Sequence, residues 1–89
     1  MAWKIELSPH AIKNLDRLDS QVVHRVLRFL QERVAPLDNP RSIGEALKGT
    51  KLGNFWKYRV GDFRVIAHID DTAIRILIVR IGNRRDVYR

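Results

Sequence analysis

The chain contains no cysteine, so neither a disulfide framework nor a thiolate metal site is available to it. Its three histidines, His10, His24 and His68, are dispersed and lack the spacing of metal ligands. Long hydrophobic runs are missing too: the longest clean apolar stretch is Ile76 to Val79, far short of a membrane span. The opening Met-Ala-Trp-Lys-Ile-Glu has no apolar signal stretch, which makes a cytoplasmic protein with no membrane role the expectation. There is no glycine-rich phosphate loop and no supported Ser/His/Asp arrangement. Asp62 and the pair Asp70-Asp71 fall at turns, which argues against acid–base chemistry by paired carboxylates. No metal or cofactor is expected.

What the chain does have is positive charge. Its 89 residues make one domain, 1–89, with a net charge of +7. Residues 1–47 carry seven Lys/Arg against six Asp/Glu, whereas residues 48–89 carry ten against four. Nearly all the excess sits in the second half, the electrostatic footprint of a nucleic-acid or acidic-protein partner.

Trp3, Ile5 and Leu7 alternate with Lys4 and Glu6, predicting a strand buried on one side. Ser8-Pro9 then reads as an N-cap followed by proline in the first helical turn, with Ala11, Ile12, Leu15 and Leu18 as the apolar stripe. Asp19-Ser20 can cap a second helix, whose apolar positions recur through about Val34. Residues 35–53 are rich in proline and glycine and read mostly as loop. Three strands follow, so the order β-α-α-β-β-β implies an α+β domain: a small antiparallel sheet with two helices on one face.

The strongest local signal is Gly61-Asp62 between two alternating runs, a two-residue type II′ hairpin turn. That turn pairs Val60 with Phe63, Tyr58 with Val65 and Trp56 with Ala67 on an apolar face. On the other face Arg59 opposes Arg64, Lys57 opposes Ile66 and Phe55 opposes His68. Directly opposed like charges are unfavourable in a sheet, so the Arg pair with Lys57 beside it calls for an anion. Crowded cations also make a lysine among them easier to deprotonate, which offers Lys57 as a base. A second tight turn at Asp70-Asp71, with a two-residue loop, would pair Ala67 with Ile74, Val65 with Ile76 and Phe63 with Ile78. The tail Arg84-Arg85-Asp86-Val87-Tyr88-Arg89 is basic with one aromatic, and would join the cationic face if the chain folds back after the last strand.

These segments resemble the RelE/ParE superfamily of bacterial and archaeal toxins from toxin–antitoxin pairs. The resemblance is carried by Trp3 to Pro9, Leu47-Lys48-Gly49, Phe55 to Ile66 and Val79 to Tyr88. It implies a RelE/ParE-like fold and, on the RelE side, a ribosome-dependent endoribonuclease. Such a toxin cuts mRNA in the ribosomal A site by 2′-hydroxyl attack, without metal. Carried over residue by residue, the catalytic set is Lys57, Arg59, Arg64, Arg84 and Tyr88. Lys57 would assist deprotonation of the 2′-hydroxyl, Arg59 and Arg64 would neutralise the phosphate, Arg84 would serve the leaving oxygen and Tyr88 the base. Lys48, Lys51, Arg85 and Arg89 would add RNA contacts. The implied partners are the ribosome with its mRNA and an acidic RelB-like antitoxin, promoter DNA being reached only through the antitoxin complex. Two alternatives stay open: a ParE-type toxin that poisons DNA gyrase, and a basic RNA- or antitoxin-binding module without catalysis.

Overall fold

The first strand passes into the first helix at Ser8, whose hydroxyl serves twice. In this computed structural model, which describes residues 2–47 and 55–87, β1 spans Lys4–Leu7 and α1 spans Pro9–Asp16. Ser8 Oγ accepts from Ala11 N (3.1 Å) and donates to Val79 O (3.2 Å). One side chain thus satisfies an orphan helix donor and ties the helix start to the far end of the chain. The second helix, α2 (Ser20–Phe29), runs on into a π turn, Leu30–Val34. Asp19 takes the N-cap position but makes no side-chain cap bond. Among the described residues no helix is long and apolar enough to cross a membrane.

Strands β2 (Glu45–Ala46), β3 (Phe55–Val60), β4 (Phe63–Asp70) and β5 (Arg75–Asn83) complete a five-stranded sheet in the order β1-β5-β4-β3-β2. The α+β class is as expected, with two refinements. β1 joins the edge parallel to β5, while the other pairs are antiparallel. The two-residue β2, preceded by a 3₁₀ turn at Pro40–Ile43, forms inside the stretch expected to be mostly loop.

The β3–β4 register matches the sequence reading at all six pairs, from Phe55 with His68 to Val60 with Phe63. Gly61 has φ +60° and Asp62 does not have a positive φ, the signature of a type II′ turn. The β4–β5 register differs from expectation. Asp70 pairs with Arg75, and Ala67 with Ile78 rather than Ile74. Asp70 causes this: its Oδ1 accepts from Thr72 Oγ1 (2.7 Å) and Thr72 N (3.1 Å), which holds a four-residue loop. The Thr72 hydroxyl also holds the Asp70 carboxyl below the usual carboxylate range. The slip is an even number of residues, so Ile76 and Ile78 still face the core. A bulge at Val79, between the pairs Ile66–Arg80 and Ala67–Ile78, then returns Ile81 to the core. Ile74 closes the loop at φ +49°, a strained setting for a β-branched residue.

The core lies between the helices and one sheet face, built from Ala11, Val26, Leu30 and Val34 against Tyr58, Val65, Ala67, Ile76, Ile78 and Ile81. Each buried valine, leucine or isoleucine among them contributes roughly 1.5–3 kcal/mol by leaving water. Tyr58 is fully buried, and its hydroxyl donates to Pro40 O at 2.7 Å. Nearby, Arg41 forms a two-point pair with Asp71 (3.0 and 2.7 Å) and lies 5.7 Å from the Trp56 ring centre. Together these bonds clamp the 3₁₀ turn to the sheet.

Burial pushes the Tyr58 phenol up to about 12, against an ordinary value of 10.0, with Arg41 opposing the shift. The folded protein keeps this proton at pH values where the unfolded chain loses it. The contribution of Tyr58 to stability is therefore full below about pH 10 and is lost as pH rises toward 12. Urea unfolding at about pH 9 and about pH 11.5 should show this fall in the native protein and a smaller one in Tyr58→Phe. At neutral pH Tyr58→Phe should cost about 1–2 kcal/mol, because Pro40 O loses its donor. At the hairpin, a Cβ on Gly61 would fall onto Nη2 of Arg25 as well as straining φ. Gly61→Ala should lower stability by about 1–2 kcal/mol in the same assay, with Asp62→Ala as the milder control.

Candidate functional site

The sheet face turned away from the helices carries the cations. Its first row runs Glu45, Lys57, Ile66 and Arg80 across β2, β3, β4 and β5. A second row holds Arg59, Arg64 and Gly82 on β3, β4 and β5. The alternation of β3 and β4 about the type II′ turn puts Lys57, Arg59 and Arg64 on this one face, as the sequence predicted.

Their environments differ. Arg59 is exposed. Arg64 is buried to 8% exposure, and its Nη1 donates to both Gly61 O and Phe63 O at 3.0 Å. The repulsion expected to need an anion is thus eased in part by turn carbonyls. Among the described residues Nε and Nη2 of Arg64 make no hydrogen bond, which leaves one edge of the fork for a ligand. Lys57 Nζ lies 3.3 Å from Glu45 Oε2, so a carboxylate offsets the crowding of positive charge around this amine.

The chain after β5 folds back over the same face. Arg84 N donates to Asp62 O (2.9 Å), and Arg80 Nη1 donates to Val87 O (2.9 Å). Val87 is buried against the bare Cα of Gly82. Arg84 therefore stands at the hairpin turn, as expected if the tail returned. Arg84 and Arg85 are both exposed and line a hollow of about 320 Å³ with Asp62, Asn83 and Asp86. Tyr88, Lys48, Lys51 and Arg89 lie outside the described residues. His68 is exposed, with its ring edge-on to Phe55 at 5.9 Å. Among the described residues no three His, Asp or Glu side chains come together as a metal site.

Two members of the first row were not singled out from sequence. Glu45 falls in a segment whose prolines and glycines read as loop. Arg80 reaches the face only because the β4–β5 register slips and then bulges. Recognition of Asp70 as a turn-capping side chain would have given the slip, but only the bulge at Val79 turns Arg80 onto this face.

The arrangement is one of fixed cations, an exposed guanidinium opposite a half-engaged one, an amine with a carboxylate neighbour and a folded-back basic turn. Such a surface suits a phosphate-bearing ligand. The family model described as the ParE toxin of the type II toxin–antitoxin system parDE matches residues 5–88. Toxin RelG of Mycobacterium tuberculosis (strain ATCC 25618 / H37Rv) is 26% identical over 89 residues, covering 100% of this chain and 99% of that protein. Toxin RelE of the same strain is 29% identical over 87 residues, covering 98% of this chain and 87% of that protein. In fold, the chain is similar to a chain of the Mycobacterium tuberculosis toxin–antitoxin complex RelBE2, with a TM-score of 0.85 at 22% identity over 97% of this chain and 95% of that one. With a match that runs through both helices and all five strands, this chain belongs to the ParE toxin family of type II toxin–antitoxin systems, within the RelE/ParE superfamily.

Proposed function

We propose that this toxin acts as a RelE-type, ribosome-dependent endoribonuclease that inhibits translation by cutting mRNA in the A site. The observation that carries the reading is the direct opposition of Arg59 and Arg64, with Lys57 in the next row of the same open face. A scissile phosphate seated there meets the exposed Arg59 and the unused edge of Arg64. The ribose 2′-hydroxyl attacks phosphorus, the bond to the 5′-oxygen breaks, and a 2′,3′-cyclic phosphate and a 5′-hydroxyl result. Lys57 assists loss of the 2′-hydroxyl proton to solvent, and Glu45, 3.3 Å away, holds its amine in place. Arg59 and Arg64 stabilise the charge that builds on the phosphoryl oxygens. Arg84 serves the leaving oxygen, which ends protonated, and Tyr88 orients the base. Lys48, Lys51, Arg85 and Arg89 add RNA contacts. Relatives known as RelG and RelE along the whole chain support this reading.

The second reading is gyrase inhibition, favoured by the ParE description of the matching family model. Either toxin needs restraint. The partner we infer is an acidic, RelB-like antitoxin, in line with a similar fold having been solved within a toxin–antitoxin complex.

Primer extension on programmed ribosomes with an empty A site should show cuts inside the A-site codon, and none on the same mRNA without ribosomes. Lys57→Ala and Arg84→Ala should each lower that cutting by about 10²–10³ while thermal unfolding stays cooperative. Intact mRNA together with blocked supercoiling in a gyrase assay would replace the reading by the second. Co-expressed with the product of its neighbouring reading frame, the toxin should elute as a heteromeric complex. Elution as a monomer would remove the antitoxin assignment.

A further inference from the structure

Arg84 stands on the turn 83–87 that follows β5, and apart from Val87 this turn is lightly packed. On one side it borders the hollow of about 320 Å³ shared with Asp62. On the other, Asn83, Asp86 and Val87 border a hollow of about 380 Å³ that also touches His10, Asn14 and Arg80. A segment with open space on two sides keeps its place through hydrogen bonds more than through close packing.

The bonds inside the turn set its curvature: Asp86 N and Val87 N donate to Asn83 O at 2.8 and 2.9 Å. Its position comes from outside. At the near end Arg84 N donates to Asp62 O, and at the far end Arg80 Nη1 donates to Val87 O, both at 2.9 Å. The Val87 side chain rests on Gly82. Arg84 belongs to the stretch between these anchors, so release of the far one leaves its turn free to swing about the near one.

Arg80 is built into the sheet in a way that suits an anchor. The bulge at Val79 turns it onto the open face beside Ile66, and Ser8 Oγ donates to Val79 O at the same bulge. The row already holds Lys57, and another cation there adds repulsion. A methionine or leucine would cover Ile66 without that penalty. What an apolar side chain lacks is the charged N–H that reaches Val87 O, and such a donor makes a stronger bond than a neutral one.

We propose that Arg80 is a positioning residue: it pins the 83–87 turn and thereby sets where the Arg84 guanidinium meets the leaving oxygen. The catalytic half of this role rests on the endoribonuclease reading, whereas the pinning is measurable without any cleavage. A displacement of about 1 Å costs up to about a hundredfold in rate. A loosened turn therefore lowers turnover, while Arg59 and Arg64 still hold the phosphate.

The experiment pairs amide hydrogen exchange by NMR with kcat and KM for A-site cleavage in R80M, R80K, R84A and R80M/R84A. R80M should speed exchange at Asp86 and Val87 about tenfold and leave the β3–β4 amides unchanged. It should lower kcat about tenfold with KM within about twofold, and R80K, which keeps a charged donor, should recover most of both effects. In the R84A background R80M should cost less than about twofold, because it acts through Arg84. R80Q replaces R80M if that variant does not fold. A full loss in the R84A background, or a raised KM with kcat intact, would make Arg80 a direct RNA contact and overturn the proposal. Faster exchange through the hairpin as well would reduce Arg80 to general stability, and unchanged exchange at the turn would remove the anchor. Faster exchange at the turn, in a protein whose native form cuts no mRNA, would keep the anchor and remove the endoribonuclease reading.

Discussion

Two residues, Gly61 and Asp62, hold the cationic surface together. Their type II′ turn sets the β3–β4 register, and that register alone puts Arg59 opposite Arg64. The carbonyl of Gly61 receives Arg64, and the carbonyl of Asp62 receives the backbone of Arg84. The bare Cα of Gly61 lets Arg25 pack onto the turn from the helical side. A left-handed φ, an absent side chain and two outward carbonyls are needed at once, and few other residue pairs supply them. Positive charge from α2, β4 and the chain after β5 meets at one short piece of backbone.

This economy explains why so many cations coexist in a protein of this size. Crowded guanidiniums destabilise a fold unless something answers them. On the open face the answer is internal and incomplete: carbonyls for one edge of Arg64, a carboxylate for Lys57, a backbone oxygen between Arg80 and the returning tail. On the helical side, Arg25, Arg28, Arg33 and Arg59 line one groove with Glu32, and none of them is ion-paired among the described residues. The protein keeps its charges in position while leaving donor capacity unspent, the state in which a polyanion is bound with little rearrangement.

The hairpin was legible in the sequence because its information is local. Gly-Asp flanked by strict alternation determines register, faces and the opposed arginines without reference to the rest of the chain. The helices were legible for the same reason, through Ser8-Pro9 and the apolar spacing. What was not legible depends on a competing side chain or on a distant partner. Asp70 outcompetes the tight turn by binding Thr72, which shifts β5 by an even step that polarity patterning cannot sense. The bulge at Val79 is held by the Ser8 hydroxyl from the opposite end of the chain. β2 is only two residues long and gains order from β3 rather than from its own composition. The family resemblance named the cationic residues but could not show that Arg64 is engaged with its own turn.

The parallel edge strand has a consequence in time. β1 is the first strand to be synthesised, yet its neighbour in the sheet is β5, the last of the five. During translation the opening segment has no partner until the fifth strand has left the exit tunnel. A nascent chain bearing Lys57, Arg59 and Arg64 therefore lacks both the strand that covers the edge of β4 and the turn that brings Arg84 to the hairpin. Assembly of the cationic face therefore waits until β5 and the turn that follows it have been made and are free to fold.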